Sequence, residues 1–301
     1  MKKKLSFAIL LLALFAFTSV FFNSCKKDVS VSTNAPGSGQ QHVSLYLTDS
    51  PSDYFAKVFI EIDSVSVLVD TCARDSSESR SGEDHDRDHH NSWGARYAGD
   101  SCNIWETLAF QPGVYNLLAL RNGLDTVLAQ SNINAGVIKY IKLSLGDSNY
   151  VVLRDSTIKP LQFRGWFDST IYIPVGDGFM DHYESGRSRC WLDFDIGRSI
   201  IPFGRGFWLH PYFRCFIQTN TGSIKGEVLP TDAHAAITVT SSSDTATAIP
   251  SDEGEFMIRG LQAGNYILKI TSSNGYADST INNVNVVAGK TVNIGVIKLH
   301  P

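Results

Sequence analysis

The feature that most limits the folds open to this chain is an alternation of apolar and polar residues with a period of two. From His42 onward, short runs of this kind follow one another, and glycine, proline, asparagine and aspartate separate them at short intervals. No long stretch carries a sustained helical period. Because a period of two places successive side chains on opposite faces of a strand, the sequence predicts an all-β protein.

Between residues 62 and 65 the alternation slips by one residue, which predicts a bend. Apolar residues occupy the even positions of 58–62 and the odd positions of 65–69. A slip of one residue within a strand requires a β-bulge, so we expect one near Asp63 and Ser64. The other strands predicted in the N-terminal part are 43–47, 114–119, 125–130, 137–145, 150–153, 190–196 and 207–218.

The spacing of the strands predicts two domains. The first part contains an acidic, histidine-rich insert at 70–100, expected to be a mobile loop, and a glycine-rich irregular stretch at 155–189. Short strands joined by turns are typical of β-sandwiches, so we predict a larger sandwich at 42–218 and a smaller one at 221–299. The strands predicted for the smaller one are 223–229, 236–240, 255–258, 266–271, 284–287 and 292–299.

The N-terminus has the order of an export signal. Three lysines precede the apolar run 5–22, and Cys25 follows before the chain turns polar. This order resembles the lipoprotein signal of the Bacteroidetes, in which the cysteine is acylated and becomes the first residue of the mature chain. A plain signal peptide is one alternative; an uncleaved transmembrane anchor is another, for which the run is barely long enough.

These features predict a chain tied to a membrane by its N-terminus. We interpret 1–24 as the signal peptide, Cys25 as the lipidation site and 25–41 as a flexible Ser/Gly/Pro-rich tether. Several acyl chains hold a protein stably on a bilayer, whereas one chain does so only marginally. The expected location is therefore the cell envelope, at the outer membrane, facing either the periplasm or the surface.

Four cysteines remain after Cys25, and an even number in an oxidising compartment suggests disulfides. Four cysteines allow three connectivities. We favour Cys72–Cys102, which would close the acidic insert, and Cys190–Cys215, which would join two neighbouring strands. Four buried free thiols are the alternative, and the spacing does not suit a zinc site of thiolates.

The insert contains the one obvious cluster of metal-binding residue types. Its three aspartates occupy the first, third and fifth positions of a calcium loop. However, histidine and alanine stand where the turn glycine and the bidentate glutamate belong. Imidazoles suit transition metals, so weak binding of a divalent metal is the alternative to a solvated loop. The candidate ligands are Asp84, His85, Asp86, Asp88, His89 and His90.

A second candidate site lies on the strand predicted at 190–196. Trp191, Asp193 and Asp195 share one face of it, opposite the apolar residues. An exposed aromatic ring beside two carboxylates suits a sugar or a cation, although a polar outer face bonded to the next strand is the more common arrangement. Other aromatic residues that could build a binding platform, or equally pack in the core, are Trp166, Phe167, Trp208 and Tyr212.

No pattern in the sequence predicts an enzyme. Phosphate-binding loops, zinc-hydrolase helices and nucleophile elbows are all missing. Two carboxylates on one flat strand do not flank a bond as those of a glycosidase do. A net charge of −4 also argues against nucleic acid as a partner.

The N-terminal part resembles a family catalogued as domain of unknown function 4382. The resemblance covers 42–218, and it implies a β-rich envelope protein without implying an activity. The long insert and the irregular stretch depart from the usual pattern of the family. The residues that carry the resemblance include LYLTDSPSDY at 45–54, IEIDSV at 60–65, WETL at 105–108, GVYNLLALRNG at 113–123 and LDFD at 192–195.

The C-terminal part resembles the carboxypeptidase-regulatory-like domain, a transthyretin-like sandwich of the carbohydrate-binding-like group. The motifs are GSIKGEV at 222–228 and EGEFMIRGLQAGNYIL at 253–268. The resemblance implies an accessory module that is not itself catalytic.

Together these observations predict a non-catalytic, lipid-anchored envelope protein that acts in binding or adhesion. The expected partners are the membrane and either a polysaccharide or another envelope protein, and no cofactor is expected. An envelope metal-binding protein that uses the His/Asp insert is the alternative, and a hydrolase with an unfamiliar site is a third class.

Overall fold

The computed structural model describes residues 36–51, 54–72, 102–163, 169–175, 180–242 and 244–301. Nearly all regular structure in these ranges is β-strand, so the predicted all-β class is confirmed. No helix within them is both long enough and apolar enough to span a bilayer.

Within the described ranges, the larger domain has fourteen strands, one short α-helix and one 3-10 helix. The strands are β1 (Gln40–Ser50), β2 (Phe55–Asp70), β3 (Asn103–Thr107), β4 (Gly113–Asn116), β5 (Thr126–Asn134), β6 (Val137–Leu145), β7 (Tyr150–Leu153), β8 (Ile158–Phe163), β9 (Thr170–Pro174), β10 (Asp181–Glu184), β11 (Arg187–Asp195), β12 (Ile200–Phe203), β13 (Gly206–Leu209) and β14 (Phe213–Phe216). The helices are η1 (Leu117–Leu120), a 3-10 helix, and α1 (Ile196–Ser199).

These strands form two sheets that share one apolar core. The five-stranded sheet has the order β10-β11-β1-β5, and β14 also pairs with β11. The nine-stranded sheet has the order β12-β13-β8-β7-β2-β6-β9, and β3 and β4 also pair with β2. Fully buried side chains from both sheets fill the space between them, including Val43, Leu45, Leu47, Ile60, Ile62, Val65, Val67, Leu192 and Phe194.

The long strand β2 bends where the sequence predicts a bulge. Its pairing with β6 shifts register between Ile62 and Ser64. The bend lets the apolar residues before and after it reach the same core although their phase differs. The predicted bulge is therefore confirmed.

The smaller domain is a sandwich of two short sheets. Its strands are β15 (Gly222–Leu229), β16 (Ala236–Thr240), β17 (Thr245–Ala248), β18 (Glu255–Leu261), β19 (Gly264–Thr271), β20 (Ser279–Val286) and β21 (Thr291–Lys298). The sheets have the orders β18-β15-β21 and β17-β16-β19-β20. Tyr266, Leu268 and Ile270 share a buried face of β19, as the alternation predicts.

Several local predictions are wrong. Residues 117–120 form η1 instead of continuing a strand, and the predicted strand 207–218 is two strands, β13 and β14. The stretch 155–189 holds β8, β9 and β10 although its glycines suggest irregular structure. At Gly295 a register shift turns Val296 outward, so this valine does not share the inner face of β21.

One predicted disulfide forms and the other does not. Cys72 and Cys102 are joined, whereas Cys190 and Cys215 are free thiols. Cys215 lies directly opposite Leu192 on the neighbouring antiparallel strand, so Cys190 is its diagonal neighbour. Diagonal Cα atoms lie about 7–8 Å apart, beyond the range of about 4.4–6.8 Å that suits a disulfide. A hydrogen bond with Cys215, together with burial, raises the pKa of the Cys190 thiol.

Alkylation of the unfolded chain counts these thiols. We expect the Cys25→Ser protein, exported to an oxidising compartment and then unfolded without reductant, to take up two alkyl groups from iodoacetamide, because only two of its four cysteines are free. After reduction it should take up four, as measured by intact mass. An unreduced chain that takes up none would show that Cys190 and Cys215 are joined after all.

Candidate functional site

The predicted ligand residues of β11 face away from the core, as the alternation requires, but they are not exposed. Trp191, Asp193 and Asp195 retain only 4%, 4% and 8% of their accessible surface. The smaller domain packs over this part of the five-stranded sheet. The prediction of an open platform at these three residues is therefore wrong, because the alternation does not reveal a second domain that covers the outer face.

Trp191 is held in a junction between the two domains. Its indole N–H donates to Asp125 Oδ2 at 2.9 Å, and Arg259 of β18 donates to the same oxygen at 3.0 Å. Its ring stacks between Tyr46 and Phe216, with centroids 5.0 and 6.1 Å away. These contacts make Trp191 a packing residue.

Asp193 belongs to a charged cluster that joins the domains. Arg214 of β14 donates to Asp193 Oδ2 and, at 3.3 Å, to Asp244 Oδ1 of the smaller domain. The Tyr266 hydroxyl donates to the other oxygen of Asp244 at 3.3 Å. Burial raises the pKa of Asp193, and the Arg214 charge opposes that rise. Since a buried guanidinium needs partners of opposite charge, Arg214 ties one domain to the other.

Asp195 has a local role at the end of β11. Its Oδ1 accepts a hydrogen bond from the Arg198 backbone N–H at 3.0 Å, and its Oδ2 lies 3.3 Å from Arg198 Nε. It therefore caps the short helix α1.

Close packing completes the junction. Ser50 Oγ donates to the Thr247 carbonyl at 3.4 Å, and Thr247 Oγ1 donates to the Pro51 carbonyl at 2.9 Å. Gly260 has a φ of +73°, and a Cβ there would lie 2.8 Å from the ring of Phe216. Only glycine allows this strand of the smaller domain to approach so closely.

Asp49 is a buried carboxyl without a partner in the described part of the chain. It retains 7% of its accessible surface, and neither of its carboxylate oxygens has a hydrogen bond. Burial raises its pKa well above the ordinary value, and the charges of Asp193 and Asp195 add to the rise. Burial without a hydrogen-bond partner thus favours the neutral form of this carboxyl over the charged form.

The Asp49→Asn variant tests this assignment. A carboxyl with a raised pKa binds its proton more tightly in the folded state, so the wild type loses stability as pH rises from the unfolded pKa, near 3.8, toward the folded one. Asparagine does not titrate. We expect the variant to equal the wild type near pH 3 and to exceed it at neutral pH by about 1–3 kcal/mol in urea unfolding.

The exposed Asp252 provides the matched control. Asp252→Asn should change stability little at either pH. A neutral-pH gain that is equal in both variants, or a loss of stability in Asp49→Asn, would contradict a neutral Asp49.

The opposite outer face of the larger domain, on the nine-stranded sheet, carries exposed aromatic residues. Phe59 on β2 lies opposite Tyr150 on β7, and Trp208 on β13 lies opposite Ile201 on β12. Phe59, Tyr150 and Trp208 each lie between buried neighbours, and Ile201 is paired with Trp208, so all four face away from the core. We call this surface the aromatic face; its members are Phe59, Tyr150, Val152, Ile158, Pro160, Gln162, Ile201, Phe203 and Trp208.

Two pairs of rings organise the aromatic face. The rings of Phe59 and Tyr150 stack with centroids 4.6 Å apart, and those of Phe203 and Trp208 lie 5.0 Å apart at a tilt of 43°. Phe203 is 63% exposed, and the other three rings are half-buried. Exposed apolar area of this kind is costly in a soluble surface and often marks an interaction site.

Strand β8 separates the two ring pairs. Its Pro160 lies opposite Tyr150 and its Gln162 lies opposite Trp208, and both side chains are exposed. Charged side chains also lie on this surface: Lys57 is opposite Val152, Glu61 follows Phe59 by two positions on the same face of β2, and the exposed Arg205 is in the turn beside the other ring pair. The face therefore offers apolar rings with an amide between them.

Sequence reasoning found one of the four rings. Trp208 is a named candidate, and it lies on the aromatic face, whereas Phe59, Tyr150 and Phe203 are missed. Phe59 and Tyr150 occupy the outward-facing positions of their alternating strands, and this feature of the sequence could have identified them. Tyr212 lies elsewhere, with the Arg198 guanidinium 5.0 Å above its ring.

The remaining candidates lie outside the described residues. These are Cys25, Asp84, His85, Asp86, Asp88, His89, His90, Trp166 and Phe167. In the part of the chain that the structure describes, no three His, Cys, Asp or Glu side chains converge to hold a metal.

Two family matches cover most of the chain. Residues 40–211, more than half of its length, match the family described as domain of unknown function (DUF4382). Residues 223–300 match the carboxypeptidase regulatory-like domain. Both predicted resemblances are confirmed. No curated protein matches the chain.

Several solved structures are similar to the chain. A type II cohesin–X-dockerin complex from Acetivibrio cellulolyticus is 28% identical over 26% of this chain and 56% of that one, with a TM-score of 0.22. A minor pilin of Streptococcus agalactiae is 12% identical over 86% and 96%, with a TM-score of 0.20. The shaft pilin of Lactobacillus rhamnosus GG is 9% identical over 87% and 98%, with a TM-score of 0.21. The match to the cohesin complex spans about half of that chain.

Proposed function

Since the chain belongs to the family described as domain of unknown function 4382, whose name assigns no activity, we propose a function from the chain's own surface. The protein is a non-catalytic, lipid-anchored component of the cell envelope. It binds polysaccharide on the aromatic face of its larger domain, and the smaller domain is a fixed accessory module.

One observation carries this proposal: the two outer faces of the larger sandwich differ. The smaller domain covers the outer face around Trp191 and Asp193, whereas the aromatic face has no such cover in the described part of the chain. Aromatic rings left open on a flat sheet are suited to a ligand that is itself flat and partly apolar.

Sugars fit this description. A pyranose ring presents C–H groups on one face, which pack on an aromatic ring, and hydroxyl groups around its edge. The exposed amide of Gln162 between the ring pairs can donate to and accept from such hydroxyls.

The anchor completes the proposal. The order of lysines, apolar run and Cys25 in the sequence supports lipidation, and the segment 25–41 supplies a tether before the first strand. A protein held in this way at the outer membrane remains close to envelope or external polysaccharide. The alternative, metal binding through the His/Asp insert, concerns residues outside the described ranges and stays a prediction.

Loss of either exposed ring should weaken binding. We expect Trp208→Ala and Phe203→Ala each to weaken adsorption of the Cys25→Ser protein to a polysaccharide that the wild type binds, by about tenfold, because central aromatic contacts dominate such interfaces. The measurement is a depletion isotherm on a panel of insoluble polysaccharides. Phe203 is mostly exposed, so its variant should keep the wild-type melting temperature.

Ile267→Ala is the matched control, because Ile267 is an exposed apolar residue of the smaller domain. It should bind like the wild type. Binding that is unchanged in both ring variants, or absent on every polysaccharide, would overturn the proposed function.

Lipidation has its own test. In native cells we expect the wild type to sediment with the outer membrane and Cys25→Ser to be released in soluble form, because the acyl chains supply the membrane affinity. Fractionation and mass analysis of the N-terminal peptide measure both. A wild-type peptide that carries an unmodified thiol would contradict the anchor.

A further inference from the structure

We infer that the cleft between the two domains binds a basic peptide segment of a partner protein, in which a lysine or arginine lies next to an apolar residue. The cleft is separate from the aromatic face, so this inference goes beyond the proposed function and does not depend on it. It follows from the size of the cleft and from the side chains that line its two walls.

The cleft has one wall from each domain. The 3-10 helix η1 and the loop after it form the first wall, and the outer face of the sheet β18-β15-β21 forms the second. The volume between them is about 780 Å³. Ligand sites usually have volumes of roughly 300–1,000 Å³ and often occur at domain interfaces. A ligand in this cleft is therefore contacted from both sides.

Contacts on both sides of the loop after η1 fix the distance between the walls. Thr48 Oγ1 donates to the carbonyl oxygens of Leu120 and Leu124 at 3.3 and 2.9 Å. At the tip of the loop, a Cβ on Gly123 would lie 2.5 Å from Met257 Sδ in the opposite wall. The loop thus touches β18 directly, and the cleft is formed before a ligand binds.

Two carboxylates face the cleft side by side. Glu227 on β15 lies opposite Glu255 on β18, and both side chains point outward because their chain neighbours Val228 and Phe256 are buried. In the described part of the chain, neither carboxylate has a hydrogen bond or an ion pair. Like charges directly opposite each other on adjacent strands are destabilising. A cation between these two glutamates would remove that repulsion.

The charges and the ligand count favour an organic cation. The charged side chains that line the cleft are Glu227, Glu253 and Glu255 against Lys225 and Arg121, which leaves an excess of one negative charge. Two glutamates supply too few ligands for a calcium ion, which takes about six to eight oxygens. An ammonium or guanidinium group needs only hydrogen-bond acceptors, and two carboxylates provide them.

An apolar pair and two hydrogen-bond donors lie next to the glutamates. Val296 on β21 is beside Glu227 and is 51% exposed, and Leu124 in the other wall is 60% exposed. Two positions along β15, Lys225 lies opposite Asn293. A rise of about 3.3 Å per residue places this second row about 7 Å from the first. The Oδ1 atom of Asn293 accepts from the Gly295 backbone N–H, so its NH₂ group remains to donate to a ligand.

This set of groups matches a basic residue next to an apolar residue in a peptide. The cation pairs with the two glutamates, and the apolar side chain packs between Val296 and Leu124. Backbone carbonyl groups of the peptide accept hydrogen bonds from Lys225 and Asn293. A neutral sugar would bring no charge to the glutamates, and a polyamine would bring no acceptor to Lys225.

A peptide array tests the inference on the Cys25→Ser protein. The probes are pentapeptides with lysine, arginine, norleucine, acetyl-lysine or glutamate at the centre, and with each natural residue in turn on either side. We expect the strongest binders to have lysine or arginine at the centre and an apolar residue beside it. In calorimetry with the soluble peptides, norleucine or acetyl-lysine at the centre should weaken binding by about tenfold or more, because each lacks the charge.

Variants of the two glutamates identify the site. Glu255→Lys should remove the preference for lysine or arginine over norleucine, because the new cation pairs with Glu227. The double variant Glu227→Lys/Glu255→Lys should prefer a central glutamate. Both residues lie outside the core, so the melting temperature should stay close to that of the wild type.

Two matched controls should bind the peptides like the wild type. Asp147→Asn removes an exposed carboxylate in the turn between β6 and β7, and Trp208→Ala changes the aromatic face.

The outcomes separate this inference from the proposed function. No binding to any peptide, equal binding to norleucine peptides, or a preference that Glu255→Lys leaves unchanged would each overturn the inference. Binding of a neutral oligosaccharide that Glu255→Lys weakens, without binding of any peptide, would overturn it too and assign the cleft to sugars. Polysaccharide adsorption that depends on Trp208 concerns only the proposed function.

Discussion

The junction between the two sandwiches is the constraint on which the rest of the structure depends. Arg214 is shared by Asp193 of the larger domain and Asp244 of the smaller one. Removal of one partner from a buried ion pair leaves an uncompensated charge at a cost of about 3–5 kcal/mol. Both domains also belong to one compact unit, Pro36–Pro301. The junction therefore fixes which outer face of the larger sandwich is covered and which remains open to a ligand.

The two faces have different chemistry because they have different partners. On the covered face, each candidate ligand residue already has a protein partner: Trp191 is bonded to Asp125, Asp193 to Arg214 and Asp195 to Arg198. On the aromatic face, the rings pack on one another and beside residues of the neighbouring strands, and β12 at one edge contains Pro202, which has no N–H to donate to a further strand.

The sequence predicts strands far better than it predicts what covers them. The strands Val137–Leu145, Tyr150–Leu153 and Ala236–Thr240 have the predicted bounds, since their alternation is regular. β8 to β10 are missed because they are short, Pro160 lies within β8 and glycines separate the strands, and η1 is mistaken for a strand because a run such as LLAL has no period. The sequence correctly predicts that Trp191 faces away from the core, but it does not predict that this side chain is buried. Its burial depends on the smaller domain, which is remote in the chain.

One sequence signal could have distinguished the outer face of the larger domain that the smaller domain covers from the aromatic face. A carboxylate on the outer face of a strand is ambiguous by itself, but Asp193 and Arg214 occupy predicted neighbouring strands and face each other in the observed register. Opposite charges paired on an outer face suggest burial under another layer, because pairing is what makes a buried charge tolerable. Phe59, Tyr150 and Trp208 have no charged residue opposite them in the register. Half-buried rings without such partners are compatible with a surface that water reaches, and this difference supports the proposed location of the binding site on the nine-stranded sheet.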